Sequence, residues 1–338
     1  NIKYNMNNAG NEAKRRANNI RVTNKLRSAN KNLCINLETQ SHLFFEEQIY
    51  PEMRKVTDKA LTNAGGLNPS EPSEIYNIEN EIEEIIEAFG NTAFILKKAG
   101  FTGVQIHGAH GYLVSQFLSP YTNIREDKWG GTIENRSRFV IEVYRNIRKK
   151  VGEKFPIGIK LNSADFQKGG FTEEESMEVV KMLSKEGIDL IEISGGTYEA
   201  PAMMGKRQES TSKREAYFME YIEKARKITT TPLMLTGGFR TASVMQDAVA
   251  SKQVDIIGMA RPFVLFPNIA NDLFTGKQTD FTSHIKKTGV KALDGAMNII
   301  WYEAQIKRLG KGKKPNPKLN PWLVFLRYAW LIVAKKLF

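Results

Sequence analysis

Phe101–Asn123 reads FTGVQIHGAHGYLVSQFLSPYTN, and the fold turns on how its first third is read. Gly103-Val104-Gln105-Ile106 is short, β-branched and bounded by glycine, the pattern of a buried strand. His107 and His110, two of the four histidines in the chain, then fall at the C-terminal end of that strand. The Gly/Ala-rich turn around them is expected to leave their rings uncrowded, and Tyr112 follows two residues later. In a parallel α/β fold, binding and catalytic groups gather at strand C-termini.

Outward from this stretch, the chain alternates. Upstream, Ile82, Ile85, Ile86, Phe89, Ala93 and Leu96 recur at helical spacing, and Lys97-Lys98-Ala99-Gly100 closes that helix with cations and a glycine cap. Downstream, a helix over 136–150 leads to a buried strand over 156–161. A helix over 172–186 follows, with Thr172 and Glu175 at capping-box spacing. Strands over 189–194, 232–236 and 254–259 alternate with helices over 217–228 and 243–251, and Pro267 opens a last helical region. Five strands separated by helices imply parallel strands with helical crossovers. No GxGxxG opens a helix, so the dinucleotide-binding reading lacks its signature. A (βα)8 TIM barrel with sites at strand C-termini fits better, with three units left for residues 1–75. There the pattern gives only a short strand at Leu33–Leu37, a helix within 42–61 broken at Pro51, and a loop over 64–72.

The 338 residues suffice for one large α/β domain or two small ones. A single cysteine, Cys34, excludes a disulfide framework and a cysteine-ligated cluster, and a reducing, cytoplasmic setting is expected. Residues 1–32 are polar and asparagine-rich, unlike a signal peptide. The net charge of +12 sits at the ends: +7 over 1–32 and +10 over 285–338, leaving −5 between them. An enzyme of nucleic acids would place positive charge around its site, so no nucleic-acid partner is expected.

Four strand ends carry distinctive groups. His107 and His110 can act as N–H donors to a substrate oxygen, with Tyr112 as a proton donor; a phenol of ordinary pKa about 10 is protonated at neutral pH. The alternatives are two ordinary polar residues at a strand terminus, or a zinc site, against which stand the strand-end setting of HxxH and the lack of a nearby third ligand. Lys160, within GIKLNSADF, points a cation into the barrel mouth or snorkels to the surface. Gly237-Gly238 lets backbone N–H groups approach an anion, and Ala260-Arg261 follows the last strand. Glycines and an arginine on two late strands match the phosphate site of a (βα)8 barrel. A phosphate site beside a cation and a histidine pair fits flavin mononucleotide, FMN, with Lys160 offsetting charge at its N1 edge. No metal is expected.

These residues carry a resemblance. HGAHGYLVSQFLSPYTNIREDKWGGTIENRSRF, GIKLNSADFQKGGFTEEES, LIEISGG, LTGGFR and GMARPF resemble the Old Yellow Enzyme group, the NADH:flavin oxidoreductase/NADH oxidase family, over about residues 65–323. The resemblance implies an FMN-dependent oxidoreductase that passes hydride from NAD(P)H through flavin to an activated alkene or similar small-molecule acceptor. It implies His107 and His110 as substrate-binding, Tyr112 as the catalytic proton donor, Lys160 at flavin N1, and Gly237, Gly238, Ala260 and Arg261 at the FMN phosphate. The family's first strand has no counterpart in residues 1–70, and the nearest match to its third strand is Asn5–Glu12. The first two or three βα units are therefore expected to be missing or degenerate. Three regions follow: a diverged, basic, Asn-rich segment over 1–70, the FMN-binding barrel over 71–310 and a basic, apolar tail over 311–338. The alternative function is a catalytically impaired barrel remnant serving as a binding or interaction module.

In the tail, PWLVFLRYAWLIVAKKLF falls short of a membrane span and carries Arg327 inside it. It reads as a helix packed on the barrel or on a second subunit of a homo-oligomer, or as one making weak contact with a membrane surface.

Overall fold

A computed structural model of the protein describes residues 79–196, 218–282 and 291–337. The elements expected at Leu33–Leu37, 42–61 and 64–72, the match at Asn5–Glu12, and Cys34 lie outside the described residues. In order, the elements are α1 (Glu79–Lys98), β1 (Val104–Gly108), α2 (Leu113–Leu118), α3 (Ile133–Val151), β2 (Ile157–Asn162), α4 (Glu173–Glu186), β3 (Leu190–Ser194), α5 (Met219–Arg226), β4 (Leu233–Thr236), α6 (Ala242–Ala250) and β5 (Ile256–Gly258). Then come α7 (Arg261–Leu265), α8 (Ile269–Phe274), α9 (Lys291–Gly310) and α10 (Pro321–Leu337). The described residues divide after Met259 into two units.

The first unit holds one parallel sheet in the order β1-β2-β3-β4-β5. Sequence neighbours are also sheet neighbours, and a helix runs between successive strands. This is the winding of a (βα)8 barrel, with five consecutive strands among the described residues.

Strand alternation sorts the two faces. One face carries rows of aliphatic residues, Ile106–Ile159–Ile191–Leu233 and Leu161–Ile193–Leu235, all at most 2% exposed. Burying each such side chain contributes about 1.5–3 kcal/mol, and this is the layer on which barrel helices pack. The other face carries His107–Lys160–Glu192–Met234, one residue per strand at one level, with Asn162 beside Ser194 one step further along. A parallel sheet with apolar residues on one face and ionisable ones on the other keeps the polar face for something other than packing.

The helices begin and end as their sequences dictate. Thr172 and Glu175 form both bonds of a capping box at the start of α4, and Gly187 ends that helix at φ +85°; each such cap stabilises by roughly 1 kcal/mol. Thr132 caps α3, whose last turn holds Arg148, Lys149 and Lys150 at the negative end of the helix dipole.

One device closes the N-terminal ends of the strands twice. Asp189, just before β3, accepts the Ile157 N–H at 2.7 Å and an Arg148 Nη2–H at 2.6 Å. Asp255, just before β5, accepts the Leu233 N–H at 2.8 Å and pairs with Arg226. In each case a carboxylate ties the preceding strand to the helix that crossed over to reach it.

In the second unit, Leu265, Trp301 and Tyr302 form an apolar cluster with Leu319 and Val324 packed against it. Trp301 donates its indole N–H to the Leu319 carbonyl at 2.9 Å, and Gln305 is bonded in both directions to Asn316. No described helix is long and apolar enough to cross a membrane.

Candidate active site at the strand C-termini

The turn after β1 is tighter than its small residues suggest. His107 lies within the strand, opposite Lys160, because the ladder with β2 extends two residues beyond the apolar run. His110 adopts φ +65° and Gly111 φ +82°. The left-handed region is costly for most side chains but visited by His more often than average, and such strain clusters at functional sites. The reversal brings three rings together. The His107 and His110 ring centres are 5.3 Å apart, and those of His107 and Tyr112 are 4.6 Å apart. The rings are in mutual contact rather than uncrowded, and His110 is buried while His107 and Tyr112 are half-buried.

His110 is held from two sides. Its backbone N–H donates to Asn162 Oδ1 at 3.2 Å, and its ring Nε2 lies 2.8 Å from Ser194 Oγ. Burial, with the neighbouring His107 and Lys160 adding to it, lowers its pKa to about 2, so the ring is neutral and offers a hydrogen bond rather than a charge. Asn162 is the hub: its Nδ2 donates to Asp165 Oδ1 at 3.0 Å and to the Gly196 carbonyl at 3.1 Å. Ends of β1, β2 and β3 are thereby joined.

Lys160 is not a snorkelling surface residue. It is 7% exposed, and its Nζ lies 3.1 Å from Oε1 of Glu192, which is 0% exposed. Gln105 Nε2 donates to the other carboxylate oxygen at 2.8 Å. Glu192, Asn162, Ser194 and Gln105 were not singled out from the sequence. A signal existed for Glu192: an acid inside an apolar strand, two residues before Ser194, as Lys160 stands two residues before Asn162.

At the end of β4, Gly237 and Gly238 have φ +143° and +89° and are half-buried. The preceding Thr236 faces Gly258 on β5, where any Cβ would sit 1.7 Å from Thr236 Oγ1. That hydroxyl is buried with no hydrogen-bond partner, as is the hydroxyl of Ser163 at the end of β2. Orphaned hydroxyls are rare in folded proteins; these two lie at strand C-termini, and Ser119 and Ser137 carry two more on the helices after β1. Ala260 and Arg261 are exposed at the start of α7, in the second unit. Among the described residues, no three of His, Cys, Asp and Glu gather so as to hold a metal.

A second feature of the opening motif is structural. Asn123 Nδ2 donates to the carbonyls of Phe117 and Trp129 at 2.7 and 2.8 Å. Buried Arg136 joins the Gly131 and Leu118 carbonyls and Glu175. Phe117 and Phe139 stack at 4.1 Å. These residues pin α2 and the loop after it against α3 and α4, which positions Tyr112 at the start of α2.

The profile of the NADH:flavin oxidoreductase / NADH oxidase family matches residues 37–280. The NADH-dependent flavin oxidoreductase nadA of Aspergillus parasiticus is 42% identical over 201 residues, covering 59% of this chain and 45% of that protein. The NADH-dependent flavin oxidoreductase iccE of Talaromyces variabilis is 34% identical over 251 residues, covering 69% and 61%. The chain thus spans 45–61% of the length of these two relatives. A solved complex of 2-naphthoyl-CoA reductase with 2-naphthoyl-CoA is similar with a TM-score of 0.55 at 36% identity, covering 59% of this chain and 30% of that one. Histamine dehydrogenase from Rhizobium sp. 4-9 gives a TM-score of 0.56 at 26% identity, covering 73% and 33%. The family match runs through all five strands and both sides of the polar row, and the chain belongs to the NADH:flavin oxidoreductase / NADH oxidase family.

Proposed function

We propose that the chain is an FMN-dependent oxidoreductase that passes hydride from NAD(P)H to an activated alkene or similar acceptor. The observation that carries this reading is the convergence of His107, His110 and Tyr112 at the end of β1, beside a buried Lys160 on β2. FMN bound at this site would supply the hydride-transfer chemistry between nicotinamide and acceptor.

The residues present fit such a cofactor. Lys160 supplies a cation on the polar face, held in place by Glu192. Gly237 and Gly238 present backbone N–H groups at the end of β4, beside the orphaned Thr236 hydroxyl, as a phosphate requires. Ala260 and Arg261 are assigned to the phosphate from their sequence motif. His107 and His110 would hold the acceptor's carbonyl or nitro oxygen. His110 Nε2 and Ser194 Oγ share a hydrogen bond at 2.8 Å; donation by Ser194 would leave the proton of the neutral ring on Nδ1, as a donor to a substrate oxygen. Tyr112 would give its phenolic proton to the alkene carbon that does not receive hydride, and its half-exposed position gives access to substrate.

The test is NADH-driven reduction of 2-cyclohexenone by the full chain supplied with FMN. Turnover is expected in the native chain, and Tyr112→Phe should lower it by roughly 10²–10⁴-fold, the usual worth of general acid catalysis. NADH should still bleach the flavin at the native rate in that variant. Native turnover by Tyr112→Phe would remove the assignment of Tyr112.

A further inference from the structure

We propose that α10 is a docking helix for an anionic lipid bilayer. Trp322, Leu323, Leu326 and Trp330 are 40%, 65%, 61% and 71% exposed, and their spacing puts them on one face of the helix. The helix is already anchored by its other side. Val324 packs against the Leu265–Trp301–Tyr302 cluster, and Tyr328 lies under Lys307, whose Nζ is 5.9 Å from the ring centre. A helix fixed to its own unit on one side normally turns polar residues outward; this one turns outward two tryptophans and two leucines.

The charge around it identifies the partner. Residues 304–338 contain nine Lys/Arg and no Asp or Glu. Lys311, Lys313, Lys314 and Lys318 are exposed in the turn that leads into the helix, and Arg327 is exposed on the helix itself. Apolar area with tryptophan, flanked by lysines, is the composition of helices that lie in the plane of a bilayer surface, and the lysines favour an anionic leaflet. The same charge opposes a second copy, since an isologous contact through this face would bring two uniformly basic segments together. At 17 residues with an arginine inside, α10 lies on the bilayer rather than across it.

The experiment is co-sedimentation of the full chain with vesicles of phosphatidylcholine alone or with ~30% phosphatidylserine. The chain should sediment with the anionic vesicles and remain in solution with the neutral ones. Raising the salt to ~0.5 M should weaken binding by about tenfold. Leu326→Glu with Trp330→Glu should abolish it, as should Lys311→Glu with Lys313→Glu and Lys314→Glu. All five positions are exposed, so folding should be unchanged by circular dichroism. Absence of binding to anionic vesicles overturns the proposal, and so does equal binding to both compositions. Sedimentation velocity supplies a third arm: a dimer dissolved by Leu326→Glu with Trp330→Glu, without vesicle binding, would assign the face to a second copy and overturn the proposal.

Discussion

The two ends of the five-stranded sheet are built on different plans. At the N-terminal ends, Asp189 and Asp255 each pair with an arginine and a strand N–H. The charges are satisfied locally. At the C-terminal ends, a neutral histidine sits at positive φ, two hydroxyls are buried without partners and a glycine pair presents bare backbone. One end spends its polar groups on holding the strands together. The other keeps polar groups in costly arrangements, as the proposed ligand site would require. Under the proposed function, the strands carry stability at one end and chemistry at the other, and Lys160 and Glu192 lie on the polar row between them.

Changes at the two ends should separate stability from ligand binding. The largest loss of stability is expected from Glu192→Ala, which removes the carboxylate 3.1 Å from the buried Lys160 ammonium and should cost about 3–5 kcal/mol in urea unfolding. Lys160→Met with Glu192→Leu should recover most of that stability while weakening FMN binding. Full FMN affinity in the double variant would mean that the pair is structural, like the aspartates below it.

Asp189→Ala tests the other end. It removes a carboxylate that accepts a backbone N–H and an arginine, half-exposed to water, and should cost about 1–2 kcal/mol. FMN binding by the folded protein should not change.

His110 gives a pH signature. Its folded pKa of about 2 lies below the ordinary value of 6.5, so between these values the unfolded chain binds a proton that the folded chain does not. Stability therefore rises with pH through this window and falls as the pH drops below 6.5, by up to about 1.4 kcal/mol per pH unit. Glu87 and Glu186 are held below the usual carboxylate range by Lys150 and Arg145 respectively, so their contributions are lost only at lower pH. Between pH ~6.5 and ~5 the slope should be smaller in His110→Gln, measured by urea midpoints. An identical slope would mean that His110 titrates freely in the folded protein.

The smallest stability effect should come from Tyr112→Phe, within ~0.5 kcal/mol, although its effect on turnover is expected to be large. A loss of several kcal/mol would place Tyr112 with the structural residues.

Much of this plan is legible in the sequence where periodicity is strong. The Ile82-to-Leu96 spacing and Gly100 delimit α1, and Thr172 with Glu175 marks the start of α4. The strand boundaries agree within about two residues because apolar runs end where the polar ones begin. What was hidden has physical causes. α2 is six residues long and five of them are buried, so no polar face betrays a helical period. His107 is in the strand rather than the turn because its ladder position depends on Lys160, more than fifty residues away. Glu192, Asn162 and Ser194 looked like strand residues with polar exceptions; only the register sets Glu192 beside Lys160 and Ser194 beside Asn162. The family motifs named the histidine pair and Tyr112, but the reason His110 is neutral lies in contacts across β1, β2 and β3 that no local pattern records.

The central claim is that the C-terminal ends of these strands bind FMN. The direct measurement is the visible spectrum of the full chain after addition of FMN and removal of the excess. A retained flavin band near ~450 nm, at about one FMN per chain and bleached by NADH, is the predicted result. A folded, colourless protein would contradict the account.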